Sequence, residues 1–342
     1  MLAIDGSLGE GGGQIVRSSL ALSLVTGQGF VLSHIRAGRE KPGLQRQHLA
    51  AVNAAADISR AAVQGATIGS CRLTFEPGPV AAGEYAFRVG TAGSATLVLQ
   101  TVLPALLLAR QPSMLTVEGG THNPFAPPFE FLAKSYLPLV NRLGPTVQAT
   151  LERYGFYPAG GGRVRASIQP AEQLAGLELL DRGPTIGQRV RALVAHLPLH
   201  IARRECRTIA RQSGWEESAF QAEEIQDAHG PGNVVLVEIE SQQVTEVFTG
   251  FGKRGVRAED VASAVWREAH EYLTANVPVG PHLADQILLP LGIAAARGHG
   301  SALRTAALTK HATTHIEILR QFLGVGIEAS PAGPHAWLVR IR

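Results

Sequence analysis

The sequence predicts an α+β fold of three repeated units, each with two helices on a four-stranded sheet, and an inserted small α+β domain. Three observations support this prediction. The chain has 342 residues, more than the ~250–300 at which one hydrophobic core usually stops growing. Its composition, 45% hydrophobic and 17% charged, is typical of a well-buried globular protein. Three stretches of the chain also share one layout of loop, helix, strand and second helix.

The first helix of each unit follows a loop of small residues. The loops are GEGGG (9–13), VGTAGS (89–94) and PVGPHL (278–283), and the predicted helices are 14–27, 95–109 and 284–298. Apolar runs of this length between glycine-rich stretches are typical of buried helices. The most apolar of these runs contains Gln100 and Pro104 and ends at Arg110. It therefore predicts a buried helix and no membrane span.

A strand, a second helix and a pair of strands complete each unit. The strands after the first helices are 30–37, 114–120 and 301–308, and the second helices are 44–58, 127–144 and 311–324. Alternating apolar residues then predict strand pairs of 72–78 with 85–90, of 150–156 with 163–169, and within 327–342.

The interval between the second and third units predicts the inserted domain, residues 181–274. It contains strand-like segments at 189–197 and 234–241 and helix-like segments at 202–213 and 259–275. These are enough for a small α+β domain whose ends are brought together by the parent fold. The core is then formed by residues 1–180 and 275–342.

Charge and cysteine usage limit the cellular setting and the partners. A net charge of +3 permits an anionic partner. The N-terminus lacks a basic start and an apolar signal core, and Cys71 and Cys206 have no metal-site spacing, which favours a cytoplasmic protein. A homodimer is the expected assembly. Arg36, Arg39, Lys41 and Arg46 form a basic cluster that either meets phosphate or lines a solvated loop.

The segment DGSLGEGGGQIVR (5–17) is the first candidate site. A glycine-rich loop that opens a helix presents backbone N–H groups to an anion. Gln14 stands where a dinucleotide fingerprint needs its third glycine, and no Gly-Lys-Ser/Thr follows, so both common nucleotide motifs fail. Glu10 could hold a divalent cation and Arg17 a phosphate. The alternative is a tight turn with a capping glutamate.

His311 is the candidate nucleophile, because it follows a strand and opens a helix. A neutral imidazole attacks phosphorus well and forms a labile bond. His315, one turn later, suggests a metal pair without an apparent third ligand, and a purely structural His311 is the alternative. Asp285 and Gln286 are at a helix start, a place for contacts to adenine, ribose or a metal, or for an N-cap.

Three aromatic residues stand among prolines in the segment THNPFAPPFEF (121–131). They are Phe125, Phe129 and Phe131. They either form an aromatic shelf for a base or pack into the core.

Together these segments resemble the RNA 3′-terminal phosphate cyclase family over nearly the whole chain. The matching segments are DGSLGEGGGQIVRSSLALS (5–23), IRAGREKPGLQRQHL (35–49), GTAGSATLVLQTVLPALL (90–107), GGTHNPFAPP (119–128), GFYPAGGG (155–162), GPGN (230–233), HLADQILLPL (282–291) and KHATTHI (310–316). The resemblance implies an ATP-dependent conversion of RNA 3′-phosphate ends to 2′,3′-cyclic phosphates, through an adenylylated His311 and an RNA adenylate.

The resemblance also implies the roles of individual residues. Those expected to contact ATP are Gln100, His282, Leu283, Ala284, Asp285 and Gln286, with Gln14 and Arg17 beside them. Glu10 matches the acid expected to bind a divalent metal, Mg²⁺ or Mn²⁺. Those expected to hold the RNA terminal phosphate are Arg39, Arg46, Gln47 and His48. The family often has Asn where this chain has His315, which either forms the hydrogen bond that Asn would form or, when protonated, shifts the pKa of His311.

Two rival interpretations remain at this stage. The first is a non-catalytic relative of the same fold that serves ribosome assembly as an RNA-binding scaffold. Such relatives lack the nucleophilic histidine, whereas this chain has His311 together with Gln100 and Asp285. The second is an enolpyruvyl transferase, which is built of similar repeated units and needs no adenylylation.

Overall fold

The computed structural model of the protein describes residues 1–342 and confirms the α+β class. It contains eight helices and four mixed four-stranded sheets. Helices α1 to α8 span Gly13–Thr26, Arg46–Ser59, Ala95–Leu106, 129–141, His200–Ser213, Ala258–Ala275, Pro281–Ala295 and Lys310–Leu323. None of these helices combines the length and the apolar character that crossing a bilayer requires.

Three of the sheets have the same strand arrangement. The first is formed by β1 (Leu2–Asp5), β2 (Phe30–Ser33), β3 (Ala62–Gln64) and β4 (Leu73–Glu76). The second is formed by β5 (Glu84–Arg88), β6 (Ser113–Gly119), β7 (Thr146–Arg153) and β8 (Gly162–Gln169). The third is formed by β9 (Glu178–Leu179), β14 (Ser301–Thr305), β15 (Ile327–Pro331) and β16 (Trp337–Ile341). In each sheet the first two strands are parallel and the last two are antiparallel, in the spatial order first, second, fourth, third.

The fourth sheet is formed by the strands between β9 and helix α7. They are β10 (Thr185–Ala195), β11 (Phe220–Ile225), β12 (Gly232–Ser241) and β13 (Thr245–Phe251), in the order β11-β10-β12-β13. Helices α5 and α6 pack against each other and against this sheet. A second apolar core of 17 buried residues lies between this sheet and its helices, while Leu193, Val234 and Leu236 of the same sheet belong to the large core.

One predicted strand pairing is wrong. The sequence predicts that residues 72–78 pair with 85–90, but β4 pairs with β2 and β3, whereas β5 runs parallel to β6 in the next sheet. Alternation shows that a segment is a half-buried strand, but it carries no information about the neighbouring strand. The predicted pairs β7 with β8 and β15 with β16 are confirmed.

Helix packing brings three distant parts of the chain together. Helix α1 packs against α2, α3 and α8, and α7 also packs against α8. Helix α1 is buried on most of its surface and ends where Gly27 adopts a left-handed conformation. Helix α8 begins at Thr309, whose hydroxyl accepts a hydrogen bond from the Ala312 N–H. As a result, the loops before α1 and α8 meet at one end of the core.

Candidate active site

The glycine-rich loop between β1 and α1 forms one wall of the candidate site. Gly9 and Gly11 have positive φ angles of 56° and 60°. A side chain at Gly9 would collide with Thr314, whose hydroxyl accepts a hydrogen bond of 3.0 Å from the Glu10 N–H. This bond joins residues 304 positions apart. The loop therefore has its shape because glycine permits it and because helix α8 holds it.

The orientation of the His311 ring is determined by Gln14, in the first turn of α1. The His311 Nδ1 atom lies 2.9 Å from the Gln14 Oε1 atom. Since an amide oxygen only accepts hydrogen bonds, Nδ1 is the nitrogen that carries the proton. The lone pair of a neutral imidazole is then on Nε2. The side chain is 49% exposed, so this nitrogen is accessible.

The surroundings of His311 favour its neutral form. Partial burial lowers the pKa of His311 below the ordinary value of 6.5, and the positive charges of Arg17, Arg39 and His282 lower it further. A neutral ring is the nucleophilic form. The chemistry that His311 can provide near pH 7 is therefore attack by Nε2 on an electrophile such as phosphorus.

Glu10 lies close to His311 and is paired with an arginine. Its carboxylate forms an ion pair with Arg39 and lies 3.6 Å from the His311 Nδ1 atom. No group of three or more His, Cys, Asp or Glu residues lies close enough together to hold a metal ion. Glu10 offers one carboxylate here, and a divalent cation held by it would depend mainly on oxygens from outside the protein.

A cleft of about 760 Å³ extends from this point, within the range of small-molecule sites. Most of the residues predicted for the site line it: Glu10, Gln14, Arg17, Arg39, Gln47, His48, His282, Asp285, Gln286 and His311. They come from α1, α2, α7, α8 and the loops before them. Residues far apart in the sequence therefore share one nucleotide-sized cavity.

Arg17 projects into the cleft without a compensating acid. Burial is the sole cause that lowers the pKa of Arg17, to about 10, and no carboxylate offsets it. The guanidinium is still charged at neutral pH. A cation held in this way favours an anionic ligand over solvent, because the protein itself supplies no partner for it.

Gln100 lines a second, smaller cavity that adjoins the cleft. This cavity of about 40 Å³ shares Gln14, Arg17 and Asp285 with the cleft. The Gln100 Oε1 and His315 Nε2 atoms are both buried and have no hydrogen-bond partner in the protein. Buried polar atoms normally have partners. The small cavity therefore presents two free acceptors beside the residues that face the cleft.

Asp285 and His315 connect helices α7 and α8. The Asp285 Oδ1 atom accepts a 2.7 Å hydrogen bond from the Thr309 hydroxyl, and burial raises the pKa of Asp285 to about 7. His315 Nδ1 donates to the Asp285 carbonyl oxygen at 3.0 Å, and burial lowers the pKa of His315 to about 4. His315 is therefore neutral near pH 7, and of the two alternatives for this residue the geometry favours the hydrogen-bonding role.

Three residues predicted for the site do not line either cavity. The side chains of Leu283 and Ala284 are buried in the large core, because the first two turns of α7 direct only His282, Asp285 and Gln286 to the cleft. Arg46 is exposed at the start of α2, on a different side from its neighbours Gln47 and His48.

A hydrogen bond also fixes the tautomer of His48, which is the opposite of the His311 tautomer. Its Nδ1 atom accepts a 3.0 Å hydrogen bond from the Gln45 N–H, so Nε2 carries the proton. Burial, with the charges of Arg17 and Arg36, lowers the pKa of His48 to about 3. His48 therefore presents a neutral N–H donor beside Gly13, where a side chain on the glycine would collide with the ring.

Several lining residues were not predicted to belong to the site. Phe251 and Glu268 come from the fourth sheet and helix α6, and no sequence motif marks them. Arg36 belongs to the basic cluster, but its guanidinium donates to the carbonyl oxygens of Lys41 and Gly43 and so holds its own loop. Phe125, by contrast, was one of the three aromatic residues considered for a shelf in the proline-rich stretch, and it also faces the cleft.

Comparison with known proteins decides the family. A family model described as RNA 3′-terminal phosphate cyclase matches residues 8–329. The chain belongs to the RNA 3′-terminal phosphate cyclase family. A relative of that name from Koribacter versatilis is 52% identical over 96% of this chain and 92% of its own. Relatives of the same name from Ectopseudomonas mendocina and Salmonella enteritidis are 46% and 47% identical, over 100% of this chain and 98% of theirs.

Because these relatives, which are named for this activity, align with nearly the whole chain, the protein is an enzyme of the RNA 3′-terminal phosphate cyclase family. Among solved structures, the enolpyruvyl transferase NikO from Streptomyces tendae aligns with a TM-score of 0.37 and 10% identity. The alignment covers 99% of this chain and 48% of NikO. A similarity this low supports no inference about fold or activity.

Proposed function

We propose that the protein uses ATP to convert an RNA 3′-phosphate into a 2′,3′-cyclic phosphate through a covalent His311–AMP intermediate. One observation carries this proposal. The Gln14 oxygen holds the proton of His311 on Nδ1 and leaves Nε2 free, in a cleft of about 760 Å³ that also contains Arg17. A neutral, oriented nucleophile beside an unpaired cation suits attack on a phosphate ester.

The first step consumes ATP. His311 Nε2 attacks the α-phosphorus, a P–N bond forms, and the bond from this phosphorus to the bridging oxygen of the β-phosphate breaks, which releases pyrophosphate. The ring gains positive charge while Nδ1 keeps its proton. The Gln14 oxygen at 2.9 Å and the Glu10 carboxylate at 3.6 Å stabilise that charge, and Arg17 neutralises phosphate oxygens.

The next two steps transfer the activated group to RNA and close the ring. An oxygen of the RNA 3′-phosphate attacks the adenylyl phosphorus and breaks the P–N bond, which returns His311 to its neutral form. The terminal 2′-hydroxyl then attacks the 3′-phosphorus, loses its proton to solvent and expels AMP. We assign the RNA phosphate to Arg39, Gln47 and His48, which face the cleft.

ATP and a divalent ion are assigned to the same cleft. His282, Asp285 and Gln286 face it, and Gln100 lies in the adjoining small cavity. When Mg²⁺ or Mn²⁺ is bound, it supplies charge neutralisation for the phosphates. Glu10 would hold the ion, which requires its carboxylate to exchange Arg39 for the metal.

The architecture supports a division of the chain. We propose that the three sheets of equal topology, each with two helices, are repeats that form a core of residues 1–180 and 275–342, and that residues 181–274 are an inserted domain. The identical strand order of the three sheets and the separate apolar core of the fourth support this division. A cytoplasmic location, where Cys71 and Cys206 stay reduced, and a homodimer are part of the proposal.

The activity is tested with a short RNA that carries a 3′-phosphate. Incubation with ATP and Mg²⁺ is expected to make the end resistant to phosphatase and to release one AMP for each end closed. A matched RNA with a 2′-deoxy terminal nucleotide should accept AMP but not cyclise, because it lacks the attacking hydroxyl. If the 3′-phosphate end stays phosphatase-sensitive and no AMP appears, the protein is a non-catalytic RNA-binding relative.

A further inference from the structure

The loop of residues 121–128 places an aromatic ring in the cleft. The proposed reaction does not use this ring. The Phe125 side chain is 94% exposed, yet the residue lines the same cavity as His311, Arg17 and Arg39. The sequence predicted a shelf of three aromatic residues. Of the other two, Phe131 is buried in the core and Phe129 is partly buried against it. Phe131 also borders the cleft but is only 3% exposed, so Phe125 is the one of the three rings that a ligand can cover.

The exposure of Phe125 does not come from a loosely held loop. On one side, the Asn123 side chain donates to the Ala92 carbonyl oxygen. On the other side, the Thr96 hydroxyl donates to the Pro127 carbonyl oxygen at 2.7 Å. The prolines at 124, 127 and 128 restrict the backbone further. Phe125 is therefore presented to solvent at the tip of an anchored loop.

Ligand clefts are lined mainly by apolar and aromatic side chains, with a few polar groups that fix the ligand's orientation. The cleft already combines arginines with this ring, and that combination is how proteins bind single-stranded nucleic acid: cations meet the phosphates and aromatic rings stack on the bases. The ligand that fits Phe125 is therefore a nucleobase. Two sources exist in the reaction, the adenine of ATP and the bases of the RNA.

The exposure of the ring distinguishes the two sources. A small ligand loses most of its surface to the protein when it binds. Of the residues assigned to ATP, Asp285 is buried and Gln100 lines the small cavity beside the cleft. A polynucleotide must leave the cleft for solvent, and a ring that is almost wholly exposed suits the part that leaves. We propose that Phe125 is a stacking platform for one of the two bases nearest the RNA 3′ end. This inference rests on the proposed function.

Stacking on a phenyl ring needs no particular base, since every base has an aromatic face. The platform would therefore hold RNA ends of any sequence at a constant distance from His311. Its contribution belongs to RNA binding and not to attack on ATP. Stacking of one base on an aromatic residue corresponds to a change in affinity of roughly 5- to 100-fold.

The experiment compares Phe125→Ala, Phe125→Trp and a control, Ile68→Ala. Ile68 is 57% exposed and lies outside the cleft, so its removal tests for a general loss of apolar surface. Cyclisation is measured against RNA concentration, and adenylylation of the protein is measured against ATP without RNA. We expect Phe125→Ala to raise the KM for RNA about 5- to 100-fold. Phe125→Trp and Ile68→Ala should stay close to the wild type.

Abasic substrates make the test more specific. RNAs that lack the base of the last or of the second-last nucleotide are compared on the wild type and on Phe125→Ala. If the ring stacks on one of these bases, removing that base costs the wild type affinity but costs the variant little more, which is the signature of a direct contact. Full additivity for both abasic RNAs would overturn the proposal.

The remaining outcomes separate this inference from the proposed function. If Phe125→Ala raises the ATP concentration needed for adenylylation without RNA, the ring stacks on adenine and the assignment to RNA is wrong. If the wild type itself is never adenylylated, the proposed function fails. The platform is then tested by measuring the binding of a fluorescent 3′-phosphorylated RNA through its anisotropy. Phe125→Ala must weaken this binding, and Ile68→Ala must not.

Discussion

The hydrogen bond between Gln14 and His311 gives the sharpest quantitative prediction. Replacing Gln14 with Leu keeps the approximate volume of this buried side chain and removes the only atom that accepts the Nδ1 proton at 2.9 Å. The His311 ring can then rotate or place its proton on Nε2, the nitrogen that must attack. We expect Gln14→Leu to slow adenylylation at saturating ATP.

The size of this effect follows from the change in charge during the reaction. A neutral hydrogen bond contributes about 0.5–1.5 kcal/mol net, and one to a charged group about 1.5–3 kcal/mol. The ring becomes positive as Nε2 attacks, so the bond strengthens in the transition state, and losing it costs about 1–2 kcal/mol there. The Glu10 carboxylate at 3.6 Å replaces part of this stabilisation. A rate loss of about tenfold is expected.

The assay is single-turnover transfer of label from α-labelled ATP to the protein in the absence of RNA. The rate at saturating ATP should fall about tenfold, while the ATP concentration for half-maximal rate changes less. Gln111→Leu is the matched control, because Gln111 is exposed and lines neither of the two cavities. An unchanged maximal rate in Gln14→Leu would refute the role assigned to this bond.

Three further predictions concern other parts of the structure. Arg17→Ala should raise the ATP concentration for half-maximal adenylylation by roughly 10- to 100-fold, since hydrogen bonds to charged groups contribute about 1.5–3 kcal/mol. Arg17→Lys should recover part of the loss. An unchanged ATP dependence in Arg17→Ala would contradict the assignment. Thr314→Val leaves the Glu10 N–H without its acceptor and should reduce the free energy of unfolding by about 1–2 kcal/mol, measured by urea titration. The control is Thr313→Val, on the exposed side of α8, which should change this free energy little. Glu246 is buried, accepts from the Gly280 N–H at the start of α7, and has its pKa raised by burial from 4.5 to about 8. Because the folded state keeps this proton and the unfolded state releases it, stability is lost as pH rises from about 4.5 through about 8, by on the order of 5 kcal/mol. Glu246→Gln should therefore melt higher than the wild type at pH 9 and equally at pH 5; equal melting temperatures at both pH values would show that the carboxyl is not protonated in the fold.

The helices of the fold were predictable because their signals are local. An apolar run between glycines specifies a buried helix wherever it packs, and Gly27 marks the end of α1 by adopting a left-handed conformation. Strand partners depend on tertiary structure, which is why β5 was assigned to the wrong sheet. The two residues of β9 are too few to show any alternation.

The residues of the candidate site likewise divide into those with a local sequence signal and those placed by tertiary packing. Glu10 and His311 were identified because each stands at a loop-to-helix junction with recognisable chemistry, and the family resemblance connected them. Phe251 and Glu268 reach the cleft only because the fourth sheet and α6 pack beside it. No spacing in the sequence shows that Glu10 meets Thr314 across 304 residues. Such contacts are properties of the packed chain and not of any segment.

The chemical identity of the adenylylated residue tests the central claim most directly. The wild type is incubated with α-labelled ATP and Mg²⁺, digested, and the AMP-bearing peptide is sequenced by mass spectrometry, with His311→Ala and His315→Ala treated in parallel. The account predicts an acid-labile, base-stable adduct on the peptide that contains His311, and no label on His311→Ala. Label on any other residue, or undiminished labelling of His311→Ala, would contradict it.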